Sequence, residues 1–294
     1  MAQNPSSTGS GSYYLPHSAP WPIVGSLGLF AFMLGAALWL DRLTPVGPIV
    51  MVVGALLLIV MKSGWFGTVI HESESGLYNP RVDRTFRWAM AWFIFSEVMF
   101  FGAFFGSLFY ERVFMIPWLG GASNSFFTHV VLWPHFLAVW PTNGPAHVGG
   151  AFHPMPAWGI PAINTLILLT SAVTVTVSLW ALKAGKRGLS KIMLLLTILL
   201  GASFLGMQAH EYHHAYTHFN MTLRSGIYGA TFYILTGFHG LHVTLGVIML
   251  TVILMRLLKG HFTEEHHFAF EAVSWYWHFV DVVWLGLFVF VYWL

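Results

Sequence analysis

The chain has 294 residues, 56% of them hydrophobic and only 8% charged, whereas a soluble domain carries about a quarter charged residues, so a water-facing exterior is excluded. The absence of cysteine excludes disulfides, thiolate zinc sites, iron–sulfur clusters and thiolate-bridged copper. A net charge of +2, with basic residues scattered near helix ends, offers no nucleic-acid surface.

Residues 1–20 contain neither Lys nor Arg and no long apolar run, so they read as a flexible polar tail rather than a cleaved signal. Seven stretches approach the roughly 20 apolar residues that a membrane span needs. They lie at about 22–40, 47–66, 85–110, 160–182, 191–213, 227–257 and 269–293. The first two are joined by Asp41-Arg42-Leu43-Thr44-Pro45, a compact hairpin with a helix-breaking proline. The third and fourth are joined by a long connection, residues 111–159, rich in Pro, Gly, His and Trp; such a segment predicts a folded cap or a docking surface. No repeat pairs the spans into halves, as transporters often show, and residues 21–294 read as one membrane domain.

Basic residues orient the spans, because loops rich in Lys and Arg stay in the cytoplasm. With the N-terminus inside, Lys62, Arg81, Arg84, Arg87, Lys183, Lys186, Arg187, Lys191, Arg256 and Lys259 fall inside, while Arg42, Arg112 and Arg224 fall outside. The imbalance supports an odd number of spans and an outward-facing 111–159 connection, periplasmic in a bacterial inner membrane.

Ionisable side chains within spans are costly and mark candidate function. Glu97 stands in the third span, as a carboxylic acid bonded across a helix interface or as a lipid-facing or proton-relay group. His239 and His242 in the sixth span, and His278 and Asp281 in the seventh, are each three residues apart and share a helical face; the two faces are placed to meet. Imidazoles could serve as haem ligands, although hydrogen bonding between helices is the commoner use. His210-Glu211-Tyr212-His213-His214 satisfies the His-Glu-x-x-His zinc pattern but lacks a clear third ligand. Glycines inside the spans, Gly229, Gly237 and Gly240 among them, fit close helix packing.

The C-terminal third carries further motifs. Gln208-Ala209-x-Glu211-Tyr212, Gly226-x-Tyr228-Gly229-x-Thr231-Phe232, Thr236-Gly237-Phe238-His239-Gly240-Leu241-His242-Val243, His266-His267-Phe268-x-Phe270-Glu271-Ala272 and Trp275-Tyr276-Trp277-His278-Phe279-Val280-Asp281 resemble subunit III of cytochrome c oxidase. Ser96-Glu97-Val98-x-Phe100-Phe101 in the third span matches it as well. The resemblance runs from about residue 16 to 294.

It implies an all-α polytopic protein, its seven helices arranged as a 2+5 bundle, helices 1–2 at about 22–66 and helices 3–7 at about 85–293, with phospholipids in a V-shaped cleft. It implies no redox cofactor in this chain, with haem a and copper held by partner subunits. The partners would be subunit I, as the main contact, and subunit II, with room for a small accessory subunit, and the chain would support proton uptake and protect the catalytic centre of an aa3-type enzyme. By the same resemblance, lipids would meet Trp65, Glu72, Glu97, Arg256 and His266, and the buried polar set would be Glu97, His239, His242, His278 and Asp281. A forked guanidinium at Arg256 suits a phosphodiester, and Trp65 suits headgroup depth. The chain departs from the family where Trp65-Phe66-Gly67-Thr68-Val69-Ile70-His71-Glu72 replaces Trp-Trp-Arg-Asp-Val-Ile-Arg-Glu, losing two arginines. A related quinol oxidase or nitric oxide reductase subunit, an ion carrier built on Glu97, and a bis-histidine haem protein are the other readings; the first two spans favour the cytochrome c enzyme over its quinol and nitric oxide relatives.

Overall fold

The computed structural model describes residue 14 and residues 19–41 and 45–293. Nearly all of the expected N-terminal tail, and Arg42 in the first hairpin, lie outside the described residues. Those residues contain helices and no strand, and seven helices are long and apolar enough to cross a membrane: α1 (Trp21–Leu40), α2 (Gly47–Glu74), α3 (Pro80–Leu119), α4 (Ile160–Lys183), α5 (Arg187–His218), α6 (Gly226–Leu258) and α7 (Phe268–Trp293). Proline stands in the first turn of α1, α2 and α4, where its missing N–H costs nothing. Glycines with positive φ follow α4 and α6, Gly185 at 72° and Gly260 at 82°, a conformation that glycine adopts without steric penalty.

Two spans run well beyond their apolar sequence. α2 continues through His71 and Glu72 to Glu74, and α3 continues past Tyr110, through a wide turn at Glu111–Met115, to Leu119. Polar residues there leave the hydrocarbon without breaking the helix, since hydropathy marks the lipid boundary and not the end of backbone hydrogen bonding. The connection to α4 therefore begins at Gly120 rather than at 111.

The chain divides into two compact units, residues 1–88 and 89–294. In the first, α1 and α2 form a hairpin held backbone to backbone: a Cβ on Gly35 would strike the Met51 backbone, and one on Gly54 would strike that of Phe32. Close approach of this kind substitutes dispersion for a hydrophobic drive that lipid cannot supply. Large side chains such as Leu27, Phe30, Ile49 and Leu56 point outward and are exposed.

The second unit has a true core between α4, α5, α6 and α7. Trp277 and Trp284 of α7 are fully buried. The Trp277 ring enters a slot between α5 and α6 left open by Gly201 and Gly246, where an added Cβ would come within 2.6 and 2.7 Å of it. Its Nε1–H donates to Ser171 Oγ at 2.9 Å, and Trp284 Nε1–H donates to Thr165 Oγ1 at 2.9 Å. Each ring thus fills space and satisfies its one donor against α4, as a buried indole must.

Candidate functional site: a carboxyl–imidazole pair at membrane depth

Glu97 on α3 is hydrogen-bonded to α6. Its Oε2 lies 2.8 Å from His242 Nε2 on α6, with side chains 22% and 11% exposed. His242 stands at the middle of Gly226–Leu258, as far from either membrane surface as this helix allows. The other ring nitrogen, Nδ1, lies 2.6 Å from the carbonyl oxygen of Phe238. A carbonyl can only accept, so Nδ1 carries a hydrogen and donates. Nε2 and the Glu97 carboxyl then share one further hydrogen, either as carboxylic acid donating to imidazole or as imidazolium donating to carboxylate. Both arrangements are neutral overall, so moving the proton between them places no net charge in the lipid-depth interior, where a lone charge is expensive. Aromatic rings wall the pair: Phe101 at 5.0 Å and Phe100 at 5.9 Å from the imidazole, and Tyr276 stacked at 6.4 Å.

The other expected polar residues distribute around this pair. His239 is fully buried; its Nε2–H donates to the Val280 carbonyl at 3.2 Å, and its ring is packed by Phe204 and Trp284. The His239 and His278/Asp281 faces therefore do not meet side chain to side chain, because His239 reaches the α7 backbone. His278 turns toward α4 instead, with Nε2 3.1 Å from Thr176 Oγ1, and lines an open groove of about 340 Å³ with Val173, Thr176 and Trp180. Asp281 is buried with its Oδ2 3.8 Å from His278 Nδ1, beyond hydrogen-bond reach.

Of the lipid candidates, Trp65 and Glu72 belong to the first unit. Trp65 is 47% exposed on α2, and Glu72 accepts a hydrogen bond from Tyr78 at 2.8 Å. Burial, reinforced by this hydrogen bond to Glu72, raises the Tyr78 hydroxyl well above its usual range. In the other unit, Arg256 lies in the last turn of α6 with its guanidinium 4.6 Å from the Phe262 ring, and His266 is exposed in the following turn, its N–H donating to Thr263 Oγ1 at 2.9 Å. Arg256 and His266 share one end of α6, whereas Glu97, bonded to His242, is about 21 Å away along the helix. One phosphate cannot touch both.

Some buried polar groups escaped the sequence reading. Tyr212 O–H donates to Thr236 Oγ1 at 2.6 Å, Thr236 donates on to Phe232 O at 2.7 Å, and Gln208 Nε2–H donates to Thr236 O at 3.1 Å. Glu211, the base of the zinc-like pattern, is 1% exposed and faces the Tyr292 hydroxyl in the core, whereas His210 points outward. His210 and Glu211 therefore do not face one common site. Among the described residues, no three His, Asp or Glu side chains converge in a way that could hold a metal ion.

Seven apolar spans, a tryptophan-centred four-helix core and an acid–imidazole pair at its edge define a polytopic integral membrane protein with polar groups held inside the bilayer. The chain belongs to the cytochrome c oxidase subunit III family, whose model matches residues 11–294. It is 38% identical over 283 residues to cytochrome c oxidase subunit 3 of Cyprinus carpio and of Dugong dugon, covering 96% of this chain and 97% of each relative. Against the subunit 3 of Danio rerio the identity is 38% over 285 residues, with the same coverage. It is thus a subunit of an enzyme complex, working beside other oxidase subunits.

Proposed function

We propose that this chain is the non-redox subunit III of a proton-pumping, aa3-type cytochrome c oxidase, and that it steadies the catalytic subunit and its proton uptake while carrying structural phospholipids. Subunit I is the main partner and subunit II the second, and these hold the haem a and copper that transfer electrons to oxygen. The observation that carries the reading is the Glu97–His242 pair: an acid and an imidazole bonded to each other within the spans keep polar groups inside the bilayer without leaving a lone charge there. Lipid headgroups meet Arg256 and His266 near the end of α6, and Trp65 and Glu72 near the end of α2. Arg256 supplies a planar forked donor there, kept in place by the Phe262 ring. The membrane is a bacterial inner membrane with the N-terminus cytoplasmic, in keeping with the ten-to-three division of basic residues.

The test is phospholipid retention. Purified oxidase carrying Arg256→Ala should retain less phosphorus per haem and lose activity earlier during turnover, with its initial rate preserved. Unchanged phospholipid content would remove Arg256 from the lipid site.

A further inference from the structure

No Asp, Glu, Lys or Arg occurs between Arg112 and Lys183, a run that includes the entire α3–α4 connection. A water-exposed connection of this length would ordinarily be about a quarter charged. The later part of the connection is well accounted for. Tyr228 N–H donates to Thr142 O, His153 N–H to Phe219 O, and Asn220 Nδ2–H to the carbonyls of Gly149 and Ala151. These bonds fasten it over the α5–α6 turn as a cap.

The earlier part is built differently. After Leu119 the chain folds back across Gly120 and Gly121, which lie so close to Ala138 and His129 that an added Cβ would come within 2.5 and 2.9 Å. Between them, residues 126–132 form a short helical segment. Its polarity is inverted: Thr128 and His129 are half-buried, while Phe126, Phe127, Val130, Val131 and Leu132 are exposed by 48 to 74%. This apolar face continues the outward-facing ridge of α3, where Val113, Phe114 and Trp118 are exposed and Phe114 contacts Trp118 at 5.8 Å.

The height of the segment follows from a hydrogen bond. Thr231, in the second turn of α6, donates to Glu111 Oε2 at 2.9 Å. Counting rises along the two antiparallel helices from that contact, the end of α3 stands within about 5 Å of the start of α6. The inverted segment is therefore level with the ends of the spans, at headgroup depth.

We propose that residues 126–132 are an interfacial anchor whose Phe126, Phe127, Val130 and Val131 face is immersed in the acyl–headgroup boundary of the outer leaflet. Lipid is the occupant that this surface fits. Protein-docking patches are ringed by a polar, solvent-accessible rim, and the run that carries this face has no Asp, Glu, Lys or Arg to supply one. An interfacial segment uses phenylalanine and aliphatic side chains on its buried face, and one tethered at both ends needs no electrostatic attraction to reach the membrane.

The chain has no cysteine, so Phe127→Cys and Val131→Cys each give one nitroxide site in it. Ala146→Cys, on the exposed cap, gives an aqueous reference. The assembled oxidase is reconstituted in phosphatidylglycerol–phosphatidylethanolamine vesicles, with oxidase containing the unsubstituted chain as label background. Nitroxide collisions are measured with oxygen and with a water-soluble nickel chelate. Oxygen collisions should exceed nickel collisions severalfold at 127 and 131 and fall below them at 146. Preferential access of the nickel chelate at 127 and 131 would overturn the proposal by placing the face in water. Shielding from both reagents would overturn it by placing a protein partner there.

Discussion

Replacing Glu97 tests the geometry at its most consequential contact. Glu97→Ala leaves His242 Nε2 facing a gap at a side chain only 11% exposed, and a buried polar atom stripped of its partner costs about 1–3 kcal/mol. Much of that is the penalty of the orphaned imidazole. The contact itself is isolated by a double-mutant cycle with His242→Ala, and cross-helix hydrogen bonds in membrane proteins give coupling energies of about 0.6 kcal/mol, reaching about 1.7. Glu97→Gln should behave differently. Because His242 Nδ1 is already committed to the Phe238 carbonyl, the glutamine amide can donate to Nε2 and supply the hydrogen that the acid shared, so its cost should stay within about 0.5 kcal/mol. The measurement is unfolding of the purified chains in mixed micelles by a titrated denaturing detergent, with haem absorbance of the assembled oxidase recorded in parallel. Haem bands should not move in any variant. A coupling energy of zero would refute the pairing. A glutamine variant as damaged as the alanine one would refute the shared hydrogen.

Other substitutions probe separate parts of the molecule. Gly246→Ala pushes a methyl into the Trp277 slot and should destabilise by about 1–3 kcal/mol, read as an earlier thermal midpoint; Gly201→Ala acts on the same ring, so the two should not add. Thr236→Val removes the acceptor for the Tyr212 hydroxyl and should cost about 1 kcal/mol in the same detergent titration. Burial, helped by the positive charge of Lys183, lowers the pKa of His267 from its usual 6.5. The folded chain then binds fewer protons than the unfolded one, so stability present above about pH 6.5 is lost as pH falls toward the folded value. His267→Gln should flatten that acid-side loss, measured as the thermal midpoint between about pH 7.5 and 5.5.

The number and rough position of the spans were legible because apolar length is a direct demand of the bilayer. Their ends were not: α2 reaches Glu74 and α3 reaches Leu119, since a helix that has left lipid continues as long as its backbone bonds hold. The chemistry was legible as single residues and opaque as pairs. Glu97 and His242 each stood out as polar groups within a span, but nothing local links positions so far apart in sequence. The shared face predicted for His239 and His242 divides in the fold, one ring meeting the Val280 carbonyl and the other Glu97. A three-residue offset rotates one neighbour toward α7 and the other toward α3. Gln208, Tyr212 and Thr236 stood within the quoted motifs, but nothing marked them as a cluster, because uncharged polar residues are ordinary in membrane helices. Glu211 was visible in a zinc-like pattern and in a family-like motif, but the helix phase that turns it inward while His210 faces out requires the packed neighbours to fix it.

The glycine seam of α1 and α2 bears on how the protein is made. Among the described residues, the close glycine contacts of this seam run between two consecutive helices, so what closes that hairpin has been synthesised once residue 74 has left the ribosome. It can insert and close as a pair while α4 to α7, whose tryptophan slot depends on α5 and α6 for its walls and on α7 for its occupant, must wait for α7. Synthesis thus runs from a self-sufficient hairpin to a bundle completed only by the final helix, and a chain truncated before α7 should enter the membrane yet leave the Trp277 slot vacant and remain open to quality-control proteolysis.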